Sequence, residues 1–199
     1  MTSSTRPGGR TARVRSAVLT AAGDALAEHG FAHLDLADVA RRAEVGKTTV
    51  YRRWGNAAGL VADLLIDMAE QSLPRADTGT LEGDLIANAQ LVRNTLTDPR
   101  QGPLFKSLIA VATCDDEAAA ALHRFYDTRI NEWAPCVEQA IKRKELPEDT
   151  DSREVIRAVS APLYYRFLIS GDPIDEPEAE RSALAAIAAA RAGNYARRA

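Results

Sequence analysis

Two short segments of helical pattern, LADVARRA (36–43) and KTTVYRRW (47–54), are separated by only Glu44, Val45 and Gly46. Asp35 precedes the first and can cap it by accepting from a free backbone N–H; Asn56 stands the same way before a third pattern that starts near Leu60. A short helix, a tight turn and a second short helix with a polar outer face read as a helix-turn-helix. With Lys47 at zero and a step of about 100 degrees per residue, Val50 and Trp54 fall together on one side. They point inward, with Val39, Ala40 and Val45 as expected packing partners. Thr48, Thr49 and Arg52 occupy the opposite face, and Lys47, Tyr51 and Arg53 its flanks. Groove reading needs this division: an apolar side anchors the helix, its crown meets base edges, and its flanks reach phosphates. Arg52 can contact a guanine in bidentate fashion, worth about 1–3 kcal/mol of discrimination. Thr48 and Thr49 can hydrogen-bond a base or set a methyl against thymine; Lys47, Tyr51 and Arg53 suit phosphate. The plainer alternative is a solvated polar face on an ordinary short helix.

The rest of the chain also reads as helix. An apolar stripe of Val14, Val18, Ala21, Ala22, Ala25 and Leu26 predicts a helix over about 11–29, stopped at Gly30. Asn56 opens a fourth, running to about Ser72 and ended by Leu73-Pro74. Five more are expected near 81–96, 103–113, 116–144, 152–170 and 176–192, broken by segments rich in Pro, Asp and Gly. Pro135 and Pro162 fall inside two of them and are expected to kink or split them. No alternating strand pattern of useful length appears, so the fold class is all-α: an N-terminal three-helix head and a larger helical C-terminal part.

Charge divides along the same line. Residues 1–55 carry nine Lys or Arg against five acids, net +4, and the remaining 144 residues carry net −7. A basic head on an acidic body suits a protein that meets phosphate with one end. Hydrophobic content of 46% with 27% charged residues is ordinary for a globular chain, and no run of about 18 apolar residues suggests a membrane span. The start, MTSSTRPGGRTARVR, lacks the apolar stretch of a secretory signal and reads as a flexible arm over 1–9. Cys114 and Cys136 form no metal-type pair and are expected to be buried in a reducing cytoplasm. GKTT at 46–49 is not a phosphate-cradling loop, because Arg41 stands where that loop needs glycine and no strand precedes it. His29 and His33 flank a helix-ending glycine, His123 has no neighbouring ligand, and no nucleophile motif appears. No metal, cofactor or catalytic residue is expected.

Residues 10–65 resemble the DNA-binding domain of the tetracycline-repressor-like (TetR) transcriptional regulators. The resemblance rests on Gly30-Phe31, Asp38-Val39-Ala40, Ala43, Val45, and the run VGKTTVYRRW with Lys47, Thr49, Tyr51 and Trp54. It implies an all-helical homodimer on an inverted-repeat operator in double-stranded DNA, and a C-terminal domain that takes a small molecule and releases the DNA. Lys47, Thr48, Thr49, Tyr51, Arg52 and Arg53 then face DNA. Two positions depart from the family pattern: Glu44 replaces the usual Gly, implying a strained backbone, and Ala57 replaces a common Lys at the start of the fourth helix. The arginines at 6, 10, 13 and 15 can compensate by lying in a minor groove or along the backbone; a solubilising tail is the alternative.

The resemblance weakens beyond about residue 70, although 125–174 is similar to the C-terminal domain of one actinobacterial-type subgroup. The helix near 152–170 is apolar most of the way round, and the last helix is poor in large side chains. Together they suit half of a four-helix bundle across a two-fold axis, or else burial within one subunit. Phe105, Tyr126, Trp133, Tyr165 and Phe167 are candidates to line an effector pocket, or else ordinary core. The expected division is an arm over 1–9, a DNA-binding head over 10–56 and a ligand-binding and dimerisation domain over 57–199. The leading reading is a cytoplasmic transcriptional regulator, a repressor rather than an enzyme. The other is a helical small-molecule-binding or catalytic protein with a vestigial helix-turn-helix, motivated by Glu44 and Ala57.

Overall fold

The computed structural model describes residues 7–71 and 75–197, and among these it contains nine α-helices and no extended strand. They are α1 (Pro7–His29), α2 (Leu36–Arg42), α3 (Lys47–Trp54), α4 (Ala57–Glu70), α5 (Leu81–Thr97), α6 (Gln101–Ala112), α7 (Asp116–Lys142), α8 (Ser152–Tyr165) and α9 (Glu176–Arg191). Short polar side chains start many of them. Asp35, Asn56, Thr80, Asp151 and Asp175 each accept a hydrogen bond from a backbone N–H in the first turn that follows. Asp115 does the same for the N–H of Ala118. α1 begins at Pro7, so 7–9 are helical rather than part of an arm, and Arg13 and Arg15 are helix residues. Arg6 and Leu73-Pro74 lie outside the described residues.

Contacts divide the chain into two units. The first holds the described residues through Gln71 together with Pro99–Phe125: α4 and α6 pack with α1, and the start of α7 meets α6 through Phe125 and Phe105. The division expected from the motif alone falls after residue 56. Val18, Leu19, Ala22 and Leu26 of α1 are buried with Leu36, Val39 and Ala40 of α2, Val50 and Trp54 of α3, and Leu60, Val61 and Leu65 of α4. The end of α1 is tied to α6 by Ser107, whose hydroxyl donates to the carbonyl of Leu26 at 3.0 Å. Gly30, with φ +73°, then turns the chain out of α1 as expected.

The second unit holds α5, the rest of α7, α8 and α9. Its core is built from Leu81, Leu85 and Ala89 of α5, Trp133, Cys136 and Val137 of α7, Val155, Val159 and Leu163 of α8, and Ala179, Ala183, Ala186 and Ile187 of α9. Four alanines on one side of α9 let α5 and α8 approach it closely. Ser182 in that row donates to the carbonyl of Val159 at 2.7 Å, so its buried hydroxyl is satisfied. The α7–α8 connection is clasped by the end of the chain: Asp151 N–H donates to Tyr195 O at 2.7 Å and Arg197 N–H to Asp149 O at 2.8 Å.

Neither internal proline splits its helix. α7 is continuous through Pro135, and α8 continues past Pro162 into a π-helical turn, Arg166–Ser170, ended by Gly171 at φ +71°. A proline inside a helix costs about 3 kcal/mol, and burying one large apolar side chain gains about 1.5–3 kcal/mol. Trp133, Cys136 and Val137 are buried around Pro135, and Val159 and Leu163 around Pro162, so packing outweighs the lost hydrogen bond. Cys136 is buried as expected, but Cys114 is exposed, because it sits just past the end of α6.

The helix-turn-helix turn closes through a left-handed residue. Glu44 has φ +54°; its N–H donates to Arg41 O at 3.2 Å, and Val45 N–H reaches back to Ala40 O at 2.9 Å. This paired pattern at a helix end normally carries glycine. A side chain in this region costs about 1–2 kcal/mol, partly offset by the greater chain entropy glycine loses on folding, about 0.4–1 kcal/mol. Glu44→Gly should therefore stabilise the protein by about 0.5–1 kcal/mol. Urea unfolding measures this, and an unchanged or lower midpoint would mean that the turn carries no strain.

Candidate nucleic-acid interface

Helix α3 presents the faces its sequence predicts. Val50 is fully buried and Trp54 only 8% exposed, against the buried Val39 and Ala40, while Val45 is half-buried. Lys47, Thr48, Tyr51, Arg52 and Arg53 are exposed, Tyr51 to 47% of its surface, and Thr49 is half-buried. All six expected DNA-facing residues thus lie on one eight-residue helix, five of them open to solvent. Gly55, at φ +72°, ends α3, and Gly59 lets α4 begin beside it: a Cβ on Gly59 would come within 2.5 Å of the Trp54 carbonyl oxygen.

What holds α3 in place was not legible in the sequence. The indole N–H of Trp54 donates to Asp63 Oδ2 at 2.8 Å. Arg15 of α1 grips the same carboxylate, with Nε at 3.1 Å from Oδ2 and Nη2 at 2.8 Å from Oδ1, and donates through Nη1 to Asp67 at 2.6 Å. The Arg53 guanidinium lies over the Trp54 ring, 5.0 Å from its centre. Arg15 is therefore committed to α4 rather than to an arm along DNA. Asp63 and Asp67 are one helical turn apart, but nothing in the sequence ties them to a residue 48 positions earlier.

A second cluster joins α2 to α1. Arg42 pairs with Glu28 at 2.7 Å and Asp38 at 2.6 Å, and Arg41 also binds Asp38. Asp38 is held below the usual carboxylate range, chiefly by its hydrogen bonds from Arg41 and Arg42. An open cleft of about 390 Å³ lies beside this cluster, lined in part by Thr20, Asp24, Glu28, Arg42 and Glu44. Three carboxylates make its wall unfavourable to phosphate. Among the described residues, no group of three or more His, Cys, Asp or Glu is placed to hold a metal ion, and no helix is long and apolar enough to cross a membrane.

The five aromatic candidates divide between the units. Phe105 is buried in the first, its ring 5.7 Å from that of Phe125. The other four belong to the second: Trp133 is core, Tyr126 meets Tyr164 edge to face at 5.6 Å, Phe167 is half-buried against the core, and Tyr165 is 60% exposed.

A helix-turn-helix with a buried apolar side and an exposed cationic and hydroxyl side, on a chain whose described residues form helices and no extended strand, defines a DNA-binding regulator. Family models agree on both halves: residues 18–64 match the bacterial regulatory proteins of the tetR family, and 75–186 match the tetracyclin repressor-like C-terminal domain. The chain is 34% identical to the HTH-type transcriptional regulator YdeS of Bacillus subtilis, over 80% of this chain and 81% of that one. It is 30% identical to the DNA-binding transcriptional repressor TetR of Mycobacteroides abscessus, over 81% and 85%. The solved TetR family transcription regulator SCO0332 superposes with a TM-score of 0.70 at 27% identity, over 88% of this chain and 97% of that one. The chain belongs to the TetR family of transcriptional regulators and, with these relatives, is a regulator and not an enzyme.

The Asp63 site makes the head sensitive to acid. Burial pushes the Asp63 carboxyl up, but hydrogen bonds from Arg15 and Trp54, with the charges of Arg15 and Arg53, outweigh it and hold the group below the usual carboxylate value. With its folded value below its unfolded one, about 3.9, the site's stabilisation is present above that unfolded value and is lost as pH falls through the folded one. Acid unfolding followed by circular dichroism should show stability declining below about pH 4. Asp63→Asn should be less stable near neutral pH by about 2 kcal/mol and should decline less steeply in acid. Equal acid slopes in the two proteins would exclude Asp63 as a source of that sensitivity.

Proposed function

We propose that the chain is a cytoplasmic repressor that binds an inverted-repeat operator as a homodimer and leaves it when a small molecule binds. In this reading residues 10–56 are the DNA-binding head, and 57–199 bind the effector and form the dimer. The observation that carries it is α3, with Val50 and Trp54 buried and Lys47, Thr48, Tyr51, Arg52 and Arg53 open on the other side. Thr48, Thr49 and Arg52 read bases, and Lys47, Tyr51 and Arg53 anchor to phosphate. The stacking of Arg53 on Trp54 supports its role, since it restrains the guanidinium and leaves its N–H groups for phosphate. The repressor role is supported by the name of the Mycobacteroides abscessus relative.

Dimerisation is supported by an apolar face on the second unit. Tyr165, Leu168, Ile169 and Leu184 are exposed at the end of α8, in the π-helical turn and on α9, with Ile169 71% exposed. Large apolar side chains left exposed at the end of α8, in the turn that follows and midway along α9 suit a self-complementary two-fold interface. Tyr165 is better placed there than in a pocket. Among the other aromatic candidates, Tyr126, Trp133 and Phe167 of the second unit are proposed to border the effector site. The effector would act by changing the separation of the two reading helices, which must match successive major grooves about 34–36 Å apart.

Selection from random duplex DNA with the purified protein tests the reading. A palindromic consensus whose binding falls steeply with salt is expected, and no enrichment at moderate salt would sink it. Arg52→Ala should relax the consensus at one base position, with a loss of about 1–3 kcal/mol of discrimination there. Tyr51→Ala should instead weaken binding on all sequences alike. Sedimentation should show a dimer for the wild type and a shift toward monomer for Ile169→Glu; a monomeric wild type would remove the two-fold model.

A further inference from the structure

We infer that Asp63 is the positioning residue of the reading helix: by holding the Trp54 indole it sets the rotation of α3, and with it the reach of Arg52, Thr48 and Thr49. The inference rests on the proposed DNA-reading role of α3. With eight residues, α3 is only about 12 Å long, and its two buried large side chains, Val50 and Trp54, lie on one side. Apolar contact is non-directional, so two such anchors let a short helix rock and turn about the line joining them. A hydrogen bond is directional, and the bond from Trp54 Nε1 to Asp63 Oδ2 acts at the C-terminal end of α3, between Arg53 and the turn into α4.

The acceptor is itself fixed. Arg15 reaches both Asp63 oxygens and Asp67, so the carboxylate cannot swing without breaking a grip from a different helix. The lever is long at the other side of α3. An arginine tip stands about 8 Å from its helix axis, so a turn of about 20° moves it by about 3 Å, far beyond the roughly 0.5 Å tolerance of a productive contact. Asp63 has no need to touch DNA to govern how tightly a specific site is held. Contacts to phosphate are less exacting than base readout and should survive a small rotation.

Trp54→Phe keeps an aromatic ring for packing while deleting the N–H together with part of the indole, and Asp63→Asn removes the charge that Arg15 grips. The full-length protein, these two variants and the double variant are titrated with the selected operator and with a random duplex, at a temperature where circular dichroism shows all of them folded. Each single change should weaken operator binding by about tenfold, the double no more than about twofold further, and random-duplex binding should stay within about twofold. A structural role alone would lower both DNAs in parallel or neither. Parallel loss, additive loss or unchanged operator affinity overturns the inference. If Asp63→Asn does not fold, the operator-to-random comparison of Trp54→Phe decides alone. A wild type that selects no consensus defeats the DNA-binding reading and this inference with it; a wild type that does, with indifferent variants, defeats this inference only.

Discussion

The carboxylate of Asp63 is where three helices of the first unit are made to agree. It stands on α4, takes the indole N–H of Trp54 from the end of α3, and is gripped by Arg15 of α1. Each partner supplies what another lacks. The guanidinium offsets the burial that would otherwise raise the carboxyl group's pKa, and the carboxylate gives Arg15 and the indole an acceptor partly shielded from water. Gly59 is part of the same arrangement, since only a residue without a Cβ lets α4 start against the Trp54 carbonyl. The exposed face of α3 is therefore the far side of a half-buried polar junction rather than of an apolar contact alone.

The second unit solves a different problem by simpler means. Its helices are held by shape, with the small side chains of α9 set against α5 and α8, and its buried hydroxyl at Ser182 is answered by a backbone carbonyl. Such packing tolerates irregularity. Pro135 and Pro162 sit within continuous helices because their neighbours are buried, and the π-helical turn after Pro162 leaves Leu168 and Ile169 facing outward. Neither proline splits its helix, and core contacts are dense around both.

Local patterns in the chain predict local structure well. The bounds of α3 follow from Gly46 and Gly55, the caps at Asp35 and Asn56 from short polar side chains, and the inward turn of Val50 and Trp54 from a 3.6-residue period. The left-handed turn at Glu44 agrees with the strained backbone that the family resemblance implies, where glycine is usual. Less legible were features that depend on distant partners. Arg15 reads as part of a basic arm and is instead an internal tie; Cys114 reads as buried and is exposed; Phe105 reads with the other aromatics and lies in a different unit.

By itself the sequence determined an all-helical chain of the TetR family, the place and phase of α3, and which side chains that helix turns outward. These depend on neighbours three or four residues apart, where the backbone dictates who meets whom. Only the tertiary structure decided what braces that helix, which helices pack as one unit, and which apolar side chains are left uncovered. Those outcomes join residues such as 15 and 63, or 26 and 107, whose meeting is set by how helices stack and not by any spacing along the chain.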